Sequence, residues 1–122
     1  MLVQINMAII KMYGIKNCDA VRKAEKWLKY QDIAYSFHNI RSEKINKAIF
    51  DSWLIPHKFE TIINKKSATW RGLPKETRRK WLESQNTELL LELPTTIKRP
   101  ILDVDGIIYV GFTANKYKAI FS

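Results

Sequence analysis

The sequence predicts an α/β domain built as β-α-β, an all-helical insert, then β-β-α, and three observations carry that prediction. An apolar run, Met7 to Tyr13, ends at Gly14, and Ala20, Val21, Ala24, Trp27 and Leu28 then recur at helical spacing. Ile33 to His38 alternates apolar with small or polar residues, which is the pattern of a strand. Asp105-Gly106 separates the apolar runs Ile101 to Val104 and Ile107 to Val110, a hairpin signal because glycine accepts positive φ.

The elements follow in order. Strand, helix and strand fill a stretch of about thirty residues, a βαβ unit whose two strands run parallel. Ser42 is placed to cap a helix with Ile45, Ala48, Ile49 and Trp53 on one face. Pro56-His57-Lys58 interrupts it, and Phe59 to Asn64 reads as a short helix. Gly72 and Pro74 punctuate a turn before a helix from Lys75 to Ser84, and Thr87 to Leu93 is a last one, stopped by Pro94. Thr113 caps a closing helix, Ala114 to Phe121. The prediction is a single domain over 1–122, with a core of 7–42 and 94–122 and a helical insert of 43–93.

With 122 residues the chain can bury a real core but not two full ones. No apolar run approaches the ~20 residues of a membrane span. Met1 to Asn6 lacks the basic start and apolar core of a secretory signal, and reads as a frayed extension or the product of an upstream start. A single cysteine excludes an intramolecular disulfide and points to a reducing cytoplasm, with a monomer as the expected state. The net charge of +9 suits nucleic acid, an anionic substrate or plain solubility. It peaks between Lys65 and Lys80, where seven basic residues face one acid, Glu76. No helix-turn-helix or RNA-binding aromatic motif accompanies that run, so nucleic-acid binding ranks last.

The candidate chemistry sits at Cys18, where the first strand turns into the first helix. A thiol at a helix N-terminus lies near unpaired N–H groups and the positive end of the dipole, and both favour thiolate. Lys16 strengthens this if its ammonium turns inward, and Asn17 is a further neighbour. The competing explanation is a small buried apolar residue. His38 and His57 lack metal-site spacing, so no metal or bound cofactor is expected. Asp19 suits a role in the turn or the helix cap, and the four tryptophans suit packing.

A βαβ plus ββα layout with a cysteine at the first strand–helix junction resembles a thioredoxin-like domain. In that plan a proline just before the third strand, usually cis, faces the cysteine, and Pro100 stands there. Tyr13-Gly14-Ile15-Lys16-Asn17-Cys18-Asp19, Trp70-Arg71-Gly72-Leu73-Pro74, Ile97-Lys98-Arg99-Pro100-Ile101-Leu102 and Val110-Gly111-Phe112 together resemble the arsenate reductase–Spx family, in its small YffB-type branch.

The resemblance implies roles by position. Cys18 matches the cysteine that attacks the oxyanion and then bonds glutathione, and Arg99 matches the arginine before the cis-proline that binds the oxyanion. A second family arginine falls on Asn64, with Lys65 beside it as a substitute, and a third falls on Gly111-Phe112, where no basic residue stands. Each lost charge-assisted hydrogen bond removes about 1.5–3 kcal/mol, which argues against efficient arsenate reduction. The expected function is instead a glutathione-dependent monothiol reductase. Its Cys18 adduct has no second thiol in the chain and so needs an external one. Pro100 and the main chain of Ile101 are the expected contacts for the ligand's peptide part. The alternatives are an Spx-type regulator that docks on a partner such as RNA polymerase, without a Cys-x-x-Cys switch, and an arsenate reductase.

Overall fold

The computed structural model describes residues 8–122, so Met7 and the expected extension 1–6 lie outside the described residues. The chain is mixed α/β with a four-stranded sheet ordered β2-β1-β3-β4, from β1 (Ile10–Gly14), β2 (Ser36–Asn39), β3 (Ile101–Val104) and β4 (Ile107–Val110). β1 and β2 are parallel, whereas β3 runs antiparallel to both β1 and β4. This is the thioredoxin-like arrangement that the sequence predicts. The helix between the parallel strands is α1 (Asp19–Tyr30).

Contacts divide the chain into two compact units. The first holds the chain up to Asn39 and from Arg99 on, and the second is Ile40–Lys98. The second unit is wider than the helical run 43–93 because Asn64 N donates to Thr96 O (2.7 Å) and Lys98 N to Ile62 O (2.7 Å), drawing 94–98 into it. Its helices are α2 (Lys47–Trp53), α3 (Phe59–Ile62), α4 (Ala68–Gly72), α5 (Lys75–Ser84) and α6 (Thr87–Glu92), followed by a 3-10 turn over Pro94–Thr96. Trp53, Trp70 and Trp81 are buried, the last two with ring centroids 6.0 Å apart.

Several boundaries differ from expectation, each for a local reason. The second strand starts at Ser36, not Ile33, because Ile33 N still bonds Leu28 O at the end of α1 and Asp32 takes a positive φ. Ser42 does not cap α2. Asn46 does, accepting from Ala48 N at 2.7 Å, so Ile45 precedes the helix and Ile49 is exposed while Phe50 and Trp53 are buried. The short helix stops at Ile62 because Ile63 is extended and bridges Ile97. α4 has no counterpart in the sequence reading, yet Ser67 caps it through Trp70 N. α6 ends at Glu92, since a residue before proline disfavours helical dihedrals and Leu93 precedes Pro94. The hairpin forms as predicted, with Asp105 and Gly106 both at positive φ.

In the first unit, α1 and the closing helix α7 (Ala114–Ile120) share one core. Val21, Ala24 and Leu28 meet Tyr117 and Phe121, together with Ile10, Met12 and Leu102 of the sheet. Trp27 closes the edge, 5.7 Å from Tyr117 and 5.8 Å from Phe121. The Tyr117 hydroxyl is buried there with no hydrogen-bond partner among the described residues, and burial raises its pKa above the ordinary 10.0. Tyr35 is raised too, by burial and then by its hydrogen bond to Glu25.

A phenol whose folded pKa is raised contributes stability in full below the unfolded value, and that stability is lost as pH rises above it. Removing an orphaned hydroxyl should stabilise by about 1 kcal/mol. Tyr117→Phe should therefore raise the urea midpoint at pH 7 and flatten the loss of stability above pH 10. A lower midpoint at pH 7 would mean that the hydroxyl has a partner.

Candidate active site

Gly14 ends β1, and a Cβ there would lie 2.8 Å from Val21 Cγ2. Only glycine lets α1 approach the strand end this closely, and the approach sets where the helix begins. Cys18 is the N-cap of that helix, extended at φ −140° and ψ 127°, and its carbonyl accepts the first helical bond from Arg22 N at 2.9 Å. Its side chain makes no capping bond, so the half-buried thiol is not committed to the helix end. Its inner side rests against the α1–α7 core.

The other elements of the site enter through the sheet register. Tyr13 pairs with Ile101, and Ile101 with Val110, so β1 ends, β3 begins and β4 ends in one row. The Cys18 turn leaves that row, and Arg99–Pro100 enters it through a cis peptide bond. Pro100 is buried, and its carbonyl accepts from Gly111 N at 2.8 Å. Arg99 is half-buried. Ile101 is 1% exposed, so its side chain belongs to the core and any ligand contact from it comes from the main chain.

One cation at this end of the sheet escaped the sequence reading. Lys116, on α7, donates from Nζ to Val110 O at 2.6 Å, beside Gly111. The signal was there: Thr113 caps α7 through Lys116 N, and helical side chains lean toward the N-terminus, so a lysine in the first turn reaches back along the chain. An ammonium thus lies next to the Gly111-Phe112 position where the sequence itself offers none.

Lys16 does not turn toward the thiol. Its ammonium lies 3.1 Å from Glu25 Oε2 and 4.1 Å from the centre of the Phe37 ring. Glu25 is 7% exposed and also accepts the Tyr35 hydroxyl at 2.6 Å. A carboxylate on α1 thereby ties the Cys18 turn to the segment leading into β2. Asn17 is exposed. Asp19 pairs with Arg22, whose hydrogen bond and charge hold its carboxyl below the usual range, so it is no proton donor at neutral pH. Lys65 belongs to the second unit, where its ammonium pairs with Glu60. His38 stacks on Tyr13 with ring centroids 5.0 Å apart. No group of His, Cys, Asp and Glu suited to a metal occurs among the described residues. No helix among them is long and apolar enough to cross a membrane.

Two substitutions test this framework. Gly14→Ala should cost about 1–3 kcal/mol through the clash with Val21, read by urea denaturation; a neutral result would mean that α1 can retreat freely. Glu25→Ala should cost about 1–2 kcal/mol, because the Lys16 end of the network is solvent-screened. Glu25→Gln, which can keep an acceptor for Tyr35, should cost less, and equal losses would assign the stability to Lys16 alone.

The comparisons agree with this geometry. The ArsC family model matches residues 13–120. A solved YffB protein superposes with a TM-score of 0.85 at 34% identity, covering 93% of this chain and 99% of its own. An arsenate reductase-related protein from Brucella melitensis gives a TM-score of 0.74 at 36% identity, covering 93% and 95%. The global transcriptional regulator Spx of Enterococcus faecalis is 28% identical over 90% of this chain and 84% of its own length. With the matched span running from Tyr13 through α7, the chain belongs to the ArsC family.

Proposed function

We propose that this protein is a glutathione-dependent monothiol reductase with Cys18 as nucleophile. The observation that carries the reading is a lone, uncapped thiol at the start of α1, on the same end of the sheet as Arg99, cis-Pro100 and the Lys116 ammonium. The helix end and the two cations favour an anionic partner.

The cycle has two exchanges. The Cys18 thiolate attacks the glutathione sulfur of a mixed disulfide; the Cys18–glutathione S–S bond forms, the old S–S bond breaks, and the product leaves as a thiolate that takes a proton from water. A second glutathione thiolate then attacks the bound glutathione sulfur, releasing oxidised glutathione and the Cys18 thiolate. The chain has no second cysteine, so the external thiol is obligatory. Arg99 and Lys116 hold the anionic glutathione, and the main chain at Pro100 and Ile101, with Asn17 at the rim, positions its peptide. Lys16 acts through Glu25, fixing the turn.

Incubating the protein with oxidised glutathione should add one glutathionyl group at Cys18, seen by intact mass. Reduced glutathione should remove it, and Cys18→Ser should not form it. Arg99→Met should slow the reaction by roughly tenfold, one charge-assisted contact's worth. No adduct after hours would overturn the reading.

The likeness to an Spx regulator supports a second reading, in which the chain docks on a protein partner such as RNA polymerase without catalysis. Recovery of polymerase subunits that survives Cys18→Ser would favour it. Arsenate reduction ranks below both, because this end of the sheet offers one arginine, Arg99, and Lys116 is a weaker anchor than an arginine fork for a tetrahedral dianion.

A further inference from the structure

The second unit contains a depression of about 420 Å³ into which four lysines converge, Lys58, Lys65, Lys66 and Lys98. We propose that it binds a compact, phosphate-rich small anion, independently of Cys18. The lysines are brought together by the fold and not by one run of sequence. Lys98 reaches the basin because Lys98 N bonds Ile62 O and Ile63 bridges Ile97, which clamps the segment after the 3-10 turn against the end of α3.

Several cations elsewhere in the chain are held by carboxylates of their own. Lys47 pairs with Asp51, Arg22 with Asp19, Lys16 with Glu25, and Arg79 with both Glu76 and Glu83. The basin has one carboxylate, Glu60, and Lys65 holds it; the hydrogen bond and charge of Lys65, and then the charge of Lys58, lower the Glu60 pKa. Lys58, Lys66 and Lys98 have no acidic partner among the described residues. Asn64 Oδ1 is taken by Lys66 N, and Asn64 and Thr61 line the same wall.

The donor set selects the ligand class. Arginine forks recognise carboxylate and phosphate alike by shape, whereas lysine acts as a point charge and rewards charge density, which is highest in phosphate-rich ions; no arginine lines the basin. Three uncompensated ammonium groups call for an anion with more than one charge. The volume suits a small molecule and is far below the footprint of a nucleic-acid duplex.

The test is an amide NMR titration of the full chain with pyrophosphate at low ionic strength, where exposed charges are least screened. Saturable shifts should be confined to 58–66 and 98, and Cys18→Ser should leave them unchanged, which keeps this site separable from the thiol reaction. Lys66→Met with Lys98→Met should weaken binding roughly tenfold or more. Lys75→Met with Lys80→Met removes the same charge from α5 and should weaken it less than about twofold. Equal weakening by the two pairs would reduce the effect to net charge and overturn the proposal. So would citrate binding as tightly as pyrophosphate, or a single-stranded oligonucleotide binding tighter with shifts spread along α5.

Discussion

The contact between Gly14 and Val21 is the constraint on which the first unit depends. A helix can follow a strand at many distances, but the chemistry proposed for Cys18 needs its N-cap at the strand's end and at the level of the cis-proline row. The missing Cβ at Gly14 lets α1 close to that distance, and the burial of Val21, Ala24 and Leu28 then holds the helix down. Side chains of this size contribute on the order of 1.5–3 kcal/mol each when fully buried. The thiol is therefore presented by core packing, with the loop adding only the Lys16–Glu25 tie.

Much of this was legible because local and tertiary signals agree. The first strand, α1, the hairpin and α7 each have a strong period, a cap or an Asp-Gly turn, and each also buries the face its period predicts. The cysteine and the proline fall at one end of the sheet because the βαβ-ββα order brings those strand ends together whatever the side chains do. The second unit was harder to read for the opposite reason. Its helices are short, so caps decide more than periodicity. Ser42 and Asn46 both carry capping side chains, and the choice between them falls to the burial of Phe50 and Trp53, which no local rule sees. α4, at five residues, offers too few positions for a period at all.

The destinations of the long cations were the least legible. In the sequence Lys16 reads as a neighbour of the thiol, Lys65 as a substitute for a family arginine and Lys116 as nothing in particular, and the fold sorts them by what lies within reach. Lys16 found a buried carboxylate, which is worth more to an ammonium than a half-exposed thiol. Lys65 found Glu60 five residues away. Lys116 found a main-chain carbonyl, and this matters more for function, because a carbonyl fixes an ammonium without neutralising it.

That last distinction bears on what the chain does with an anion near Cys18. A cation consumed in a salt bridge supplies little field, whereas one anchored by a single carbonyl keeps two of its three N–H donors and its full charge. Arg99 leads into β3 at the cis-proline, and Lys116 arrives from α7 at the last residue of β4. The glutathione proposed as co-substrate carries two carboxylates, which two cations anchored on different elements can meet one at a time. A tetrahedral dianion instead needs several donors on one centre, the task for which arginine forks are suited and a lone ammonium is not.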